Sequence, residues 1–349
     1  MRVMIAALVG SLGLLAGQAS AGDLAQHYAR MTPALERSEW VMNDPSRIVD
    51  VADGQIVAVT GRQPVRGYRC GLEIWKRADA LAPWRPHECV LAEKPAWFDE
   101  ELIESDGVLT GPDFIDADTL VYSGFDGEFG DYSCVGLARR IDGVWTDSGK
   151  PLSCVQTWLR KFLATAISPS VLTTADGDMY LYAGGGLVHG VALDPETLRP
   201  IPDQWVSLET RAGPWSALAR GFGHRMHHHW AQSAFVHEHE GLYYLFLNWG
   251  VCCRGVRSTY EIRVGRSDHP LGPFRDQFGR DMVIGAGKIV LARSRQRIGP
   301  GQPSLRVTPD GRTVMAYHYY DPARGGLPWL GEVEIGWEEG WPVPGDVLR

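Results

Sequence analysis

Five short segments of this 349-residue chain share one shape, and that repetition constrains the fold more than any other feature. They read Asp44-Pro45-Ser46, Gly111-Pro112-Asp113, Ser168-Pro169-Ser170, Gln232-Ser233-Ala234 and Gln302-Pro303-Ser304. Each opens on a key residue, passes a small residue or proline, and leads through an apolar strand and a turn into a second, aromatic-rich strand. The key positions 44, 111, 168, 232 and 302 recur at sixty-odd residues, a length that suits one four-stranded blade. Residues 55–59, 119–122, 179–182, 242–247 and 313–319 supply the short strands, set off by Asp-Gly, Asn-Asp and Gly-Gly turns. Helical periodicity is confined to a short stretch around residues 24–35. The pattern predicts an all-β fold, a five-bladed β-propeller with four-stranded blades around a central channel. A β-sandwich with chance Pro-Ser dipeptides is the alternative. In a propeller the innermost strands line the channel, so Asp44, Gly111, Ser168, Gln232 and Gln302 converge on one point.

The first 21 residues read as a secretory signal: Arg2, an apolar run over 3–16, and Ala19-Ser20-Ala21 as a small-residue cleavage site. The run is too short to span a bilayer comfortably, and nothing later is long and apolar enough. The expected mature chain is therefore a single propeller domain over 22–349, exported to the periplasm or the medium, and a monomer. A net charge of −8 argues against nucleic acid as partner, which needs a basic stripe. Export makes the six cysteines readable as disulfides. Cys70 with Cys89 and Cys134 with Cys154 are the expected pairs, each close in sequence. Cys252 and Cys253 then form a vicinal bond or pair elsewhere.

The stretch from Cys252 to Phe274 (CCRGVRSTYEIRVGRSDHPLGPF), then Gly299-Pro300-Gly301, YHYYD over 317–321 and Gly340-Trp341, resembles the endo-α-1,5-L-arabinanases of glycoside hydrolase family 43. The likeness is dense from Tyr243 onward and thinner, but in register, back to Asp44. It implies a five-bladed propeller whose inner strands carry a general base in a His-Asp-Pro motif, a tuning Asp in Ile-Asp-Pro and a general acid in Glu-Ala-Pro. A histidine in Gly-Pro-Gly-His would help to hold a metal ion in the central channel. Such a pair of carboxylates suits inverting hydrolysis, with one protonating the leaving oxygen and the other activating water. A third charge keeps the acid protonated.

Carried onto this chain, the motifs are substituted. Asn43-Asp44-Pro45 keeps the base, Asp44, but Asn43 replaces the histidine. Ser168 stands where the tuning Asp belongs, Gln232 at the acid position, and Gln302 at the metal histidine. A glutamine donates no catalytic proton, and serine carries no charge at neutral pH. Glu238 and Glu240 lie some 20 Å or more along the strand from Gln232 and read as a solvated strand end. Asp113, in the second blade, is read first as a structural hydrogen bond and second as a pocket residue.

Two replacements for the missing acid are open. One of His227, His228 and His229, just before the fourth inner strand, can act as a relocated acid. Alternatively, two of them with His318 can bind a transition metal. A structural role is the ordinary expectation for such a loop. Phe125, Trp230 and Trp249 are candidate sugar-stacking surfaces around the mouth, although core packing is the commoner role for any one of them. Two functions follow: a glycosidase acting on arabinofuranose-containing or related glycans with Asp44 as base, or a non-catalytic propeller that binds an oligo- or polysaccharide.

Overall fold

The structure is a computed structural model, and it describes residues 41–61, 70–98, 108–125, 132–156, 166–201, 216–220 and 230–348. The leader, the 24–35 stretch and His227, His228 and His229 lie outside the described residues. So do the side chains of Phe125 and Trp230, of which only the backbone is described.

Among the described residues, twenty-one strands form five antiparallel blades. Blade 1 holds β1 (Val49–Val51), β2 (Gly54–Thr60), β3 (Leu72–Arg77) and β4 (Arg85–Cys89). Blade 2 holds β5 (Val108–Asp116), β6 (Thr119–Phe125) and β7 (Tyr132–Ile141), with its outer strand split into β8 (Val144–Asp147) and β9 (Ser153–Gln156), both paired to β7. Blade 3 holds β10 (Ser170–Thr173), β11 (Met179–Gly185), β12 (Leu187–Leu193) and β13 (Ser216–Arg220). Blade 4 holds β14 (Trp230–His239), β15 (Leu242–Gly250), β16 (Glu261–Ser267) and β17 (Lys288–Leu291). Blade 5 holds β18 (Ile298–Val307), β19 (Thr313–Asp321), β20 (Leu327–Glu338) and β21 (Trp341–Val347). Tight hairpins use Asp142-Gly143, Glu240-Gly241 and Glu339-Gly340, each with two consecutive positive φ values, as the twist of paired strands requires.

The strands are apolar on both sides because every blade is packed between two others. Alternate residues therefore serve two different seams. In β2, Ile56 and Ala58 join the core between blades 1 and 2, whereas Val57 and Val59 join the one between blades 5 and 1. In β6, Leu120 and Tyr122 face blade 1 and Val121 faces blade 3. In β15, Leu245 and Leu247 pack toward blade 3 while Tyr244 and Phe246 pack toward blade 5. Five buried clusters thus fill five seams.

All six cysteines are paired. Cys70–Cys89 and Cys134–Cys154 form as expected, and Cys252 bonds its neighbour Cys253. Blade 5 meets blade 1 without sharing a strand with it. Side chains close that seam. Arg77 of β3 makes a two-pronged ion pair with Glu332 of β20, at 2.6 and 2.8 Å, and both side chains are buried. Gln55 takes the remaining Arg77 Nε–H, and Trp84 covers the guanidinium.

Candidate functional site: a ring of inner-strand bulges

Every inner strand carries the same defect at the channel. In β5, Thr110 faces Ser123 and Asp113 faces Val121, so Gly111 and Pro112 share the place of one residue. In β14 the extra pair is Ser233-Ala234, between Gln232 facing Asn248 and Phe235 facing Phe246. In β18 it is Gln302-Pro303, between Gly301 facing His318 and Ser304 facing Ala316. Blade 1 repeats it at Asp44-Pro45, where Asn43 bridges Thr60 and Ser46 N–H reaches Ala58 O. Blade 3 repeats it at Ser168-Pro169, where Gly184 N–H reaches Ile167 O and Ser170 faces Tyr182.

The first residue of each bulge is left-handed, with φ of 46° at Asp44, 54° at Gly111, 49° at Ser168, 59° at Ser233 and 52° at Gln302. Four of the five are not glycine, and each such backbone costs about 1 kcal/mol. The surrounding ring must therefore hold them. The sequence register is corrected here. The fourth member of the repeat is Ser233, not Gln232, because the residue after each bulge position is proline in the other blades and Ala234 in this one. Gln232 is the residue before the bulge, equivalent to Asn43, Thr110, Ile167 and Gly301.

What holds the bulges is a second ring. The residues opposite, on the second strands, are Thr60, Ser123, Gly184, Asn248 and His318. Each one with a side chain accepts the bulge N–H of the next blade. Thr60 Oγ1 takes Gly111 N–H at 3.2 Å and Ser123 Oγ takes Ser168 N–H at 2.7 Å. Asn248 Oδ1 takes Gln302 N–H at 2.7 Å, and His318 Nδ1 takes Asp44 N–H at 3.4 Å. Gly184 has no side chain to offer. At that seam the backbones pair directly instead: Gly185 pairs with Gln232, and Gly186 N–H reaches Ala231 O at 2.8 Å.

Asp44 is the carboxylate of the bulge ring. Its Oδ2 accepts from Asn43 Nδ2, Thr60 Oγ1 and Thr110 Oγ1, each at 3.0 Å, and its Oδ1 lies 3.3 Å from His318 Nδ1. Burial pushes its pKa up. The hydrogen bond and charge of His318, with the Thr110 and Thr60 hydroxyls, more than offset that and hold the carboxyl below its usual value. Asp44 is thus an ionised, firmly positioned acceptor. Its side chain is 20% exposed, and Oδ1 keeps a lone pair that a water could use. His318 Nδ1 accepts the Asp44 N–H in one tautomer and donates to the Asp44 carboxylate in the other, while its buried Nε2 has no hydrogen-bond partner among the described residues.

The remaining expected residues fall in different places. Asp113 lies one layer below the bulges, buried, clamping Arg47 through its Nε, Nη2 and backbone N–H. Arg47 also donates to Val171 O and covers the Phe235 ring, so this pair ties blade 1 to blades 2, 3 and 4. Trp249, expected as a stacking surface, is buried in the blade 3–blade 4 core under Arg263 and offers no face to a sugar. Ser168 and Gln302 are buried in the ring, and Gln232 is half-buried. Gln302 Oε1 and Asn248 Nδ2 have no hydrogen-bond partner among the described residues. The described residues by themselves do not make a tight cation site. Gln302 gives one neutral oxygen, Asp44 is largely committed, and no three His, Cys, Asp or Glu gather among the described residues.

Sequence reasoning missed Arg47, Thr60, Thr110, Ser123 and Asn248. Stacking the second strands as the first were stacked would have found Thr60, Ser123 and Asn248, since they recur at the same interval.

These features define a closed five-bladed β-propeller with a polar mouth assembled from inner-strand bulges. The chain belongs to glycosyl hydrolase family 43, whose model matches residues 60–342. It is 29% identical over 287 residues to an extracellular exo-α-(1→5)-L-arabinofuranosidase of Cellvibrio japonicus, covering 78% of this chain and 80% of that one. It is 26% identical over 313 residues to an extracellular endo-α-(1→5)-L-arabinanase of Bacillus subtilis, covering 87% and 88%. Among solved structures, the α-L-arabinanase of Cellvibrio cellulosa complexed with arabinohexaose shares the fold with a TM-score of 0.74 at 24% identity, over 88% of this chain and 96% of that one. Among the described residues, no helix is long and apolar enough to cross a membrane.

Proposed function

We propose that this protein is exported and captures arabinofuranose-containing glycans at the bulge ring, with little or no hydrolysis of its own. The glycan class is supported by the relatives, which act on α-1,5-linked arabinan units. The observation that carries the loss of hydrolysis is the composition of the ring. Its five bulge residues are Asp44, Gly111, Ser168, Ser233 and Gln302, with Gln232 at the position of the family acid. One carboxylate can activate water, but among the described residues there nothing protonates the leaving oxygen. General-acid assistance is typically worth ~10²–10⁴ in rate. Neutral amides and hydroxyls instead suit the hydroxyl groups of an uncharged sugar.

A second reading keeps hydrolysis, with Asp44 as base and one of His227, His228 and His229 as relocated acid. It is favoured by the donors around Asp44, which keep that carboxylate ionised at neutral pH.

Calorimetric titration with arabinohexaose, paired with a reducing-end assay on arabinan, decides between them. Binding without reducing ends is expected. Turnover that disappears in Asp44→Asn would establish the second reading, and absence of any binding would overturn both.

A further inference from the structure

One of the three disulfides lacks the usual purpose of a cross-link. Cys70–Cys89 and Cys134–Cys154 join neighbouring strands across sequence separations of 19 and 20 residues, so each removes substantial freedom from the unfolded chain. Cys252 and Cys253 are adjacent in sequence. Closing so short a loop constrains the unfolded chain very little. Its contribution is therefore local: it shapes a surface.

That surface lies at the mouth. The 251–258 loop continues β15 four residues beyond Asn248, past Gly250, which pairs with Trp230 at the start of the fourth inner strand. Cys252 and Cys253 are both half-exposed. The backbone beneath them is pinned on every side. Val251 N–H reaches Thr259 Oγ1, Arg254 N–H reaches Ser258 Oγ, and Cys253 N–H donates to Tyr320 Oη of blade 5 at 2.8 Å. Cys253 itself is held left-handed at φ 64°. The Tyr320 ring sits 5.5 Å from that of His318, which touches Asp44. A continuous line of contacts thus runs from the disulfide to the ring carboxylate.

We infer that the Cys252–Cys253 disulfide is part of the glycan-binding surface, a fixed sulfur face against which a pentofuranose ring packs at the seam of blades 4 and 5. This rests on the glycan reading above. Disulfide sulfur is polarisable and weakly hydrated, so it suits the C–H face of a sugar, while the amides of the ring meet its hydroxyls. Reduction exchanges this face for two separate thiols. An external dithiol supplies two electrons and two protons, the Cys252–Cys253 bond breaks, and the reductant closes to its own cyclic disulfide. The freed loop then presents no fixed surface.

The test is arabinohexaose titration of the oxidised protein, of protein treated with a dithiol until two thiols per chain are counted, and of the Cys252→Ser/Cys253→Ser variant. Reduced protein and double variant are both expected to bind about tenfold more weakly than the oxidised protein, with melting temperature nearly unchanged. Dithiol is expected to have no further effect on the variant. Tyr320→Phe keeps both cysteines and removes the acceptor of Cys253 N–H, so a smaller, few-fold loss is expected. This variant serves where the double variant fails to fold. Undiminished binding in the double variant, or in the reduced protein and Tyr320→Phe together, overturns the inference. So does a dithiol effect on the double variant as large as on the wild type, since it would come from the other two bridges. An oxidised wild-type protein that binds no arabinohexaose overturns the glycan reading itself, a result distinct from these.

Discussion

Two seams of the ring join their blades by opposite means. Between blades 3 and 4 the chain is continuous, Gly184 leaves no side chain at the latch position, and backbone pairs with backbone through Gly185 and Gln232. Between blades 5 and 1 the two distant ends of the described chain meet, no strand is shared, and side chains make the joint. These are His318 with Asp44, Arg77 with Glu332, Arg306 with Asp50, and Ser304 Oγ on Ser46 O. The difference teaches that a ring residue can serve the fold and the site at once. Asp44 is a candidate base by its motif, and it is also a joint of the ring closure, a structural role that does not depend on chemistry at the channel.

The comparison can be broken most severely at Arg77. Glu332→Ala leaves a buried guanidinium without its carboxylate, and such a loss costs about 3–5 kcal/mol. Denaturant melts of the variant should show it; an effect below about 1 kcal/mol would mean that the 5–1 seam closes by other contacts. Gly184→Ala strains the β11–β12 hairpin that carries the opposite seam. An added Cβ would lie 2.2 Å from Leu187 O at a residue with φ 143°, so the backbone must shift. A loss of about 2–3 kcal/mol is expected, within the usual range for overpacking. A neutral result would show that this hairpin yields to the added carbon without disturbing the fused seam beside it.

Asp44→Asn is expected to cost about 1–2 kcal/mol, because an amide nitrogen would face hydroxyl donors or the oxygen would lose one. Its signature is in pH. The native carboxyl has a depressed pKa, so the unfolded chain takes up its proton first as pH falls. Its stabilisation is complete above the unfolded value of about 3.9 and is lost as pH drops through the folded one. The variant should lack that acid limb. Above it, both proteins should share the slope set by His189 and His237. Burial lowers these to about 4, so they are neutral in the fold and stability declines from pH 6.5 downward. A proton-uptake profile on unfolding separates the two windows. The smallest effect belongs to Asp50→Ala at the rim of the 5–1 seam. Asp50 is 45% exposed, so loss of its pair with Arg306 should cost about 0–1 kcal/mol and fade with added salt.

Much of this was legible in the chain. Proline at 45, 112, 169 and 303 marked four of the five bulges, because a residue before proline is restricted and proline itself gives no ladder hydrogen bond. The fourth blade was misaligned by one residue for the same reason: Ala234 carries no such mark, and Gln232 drew attention by its family position. Arg47 and Asp113 illustrate what was hidden. They lie 66 residues apart, and although Asp113 was expected to make a structural hydrogen bond, nothing in the sequence named Arg47 as its partner. Trp249 shows the converse, a residue whose type suggested a sugar platform and whose seam placement gave it to the core.

The five-fold repeat, the two-sided apolar strands and four of the five ring residues were determined by the sequence alone, because they depend on local periodicity and turn chemistry. Which side chain answers which bulge was decided only by closure of the ring. Those hydrogen bonds cross blades, and their geometry exists only once each seam is packed. Asp44 is therefore a candidate base by its motif and a joint of the propeller by its neighbours, and only the tertiary structure discloses the second.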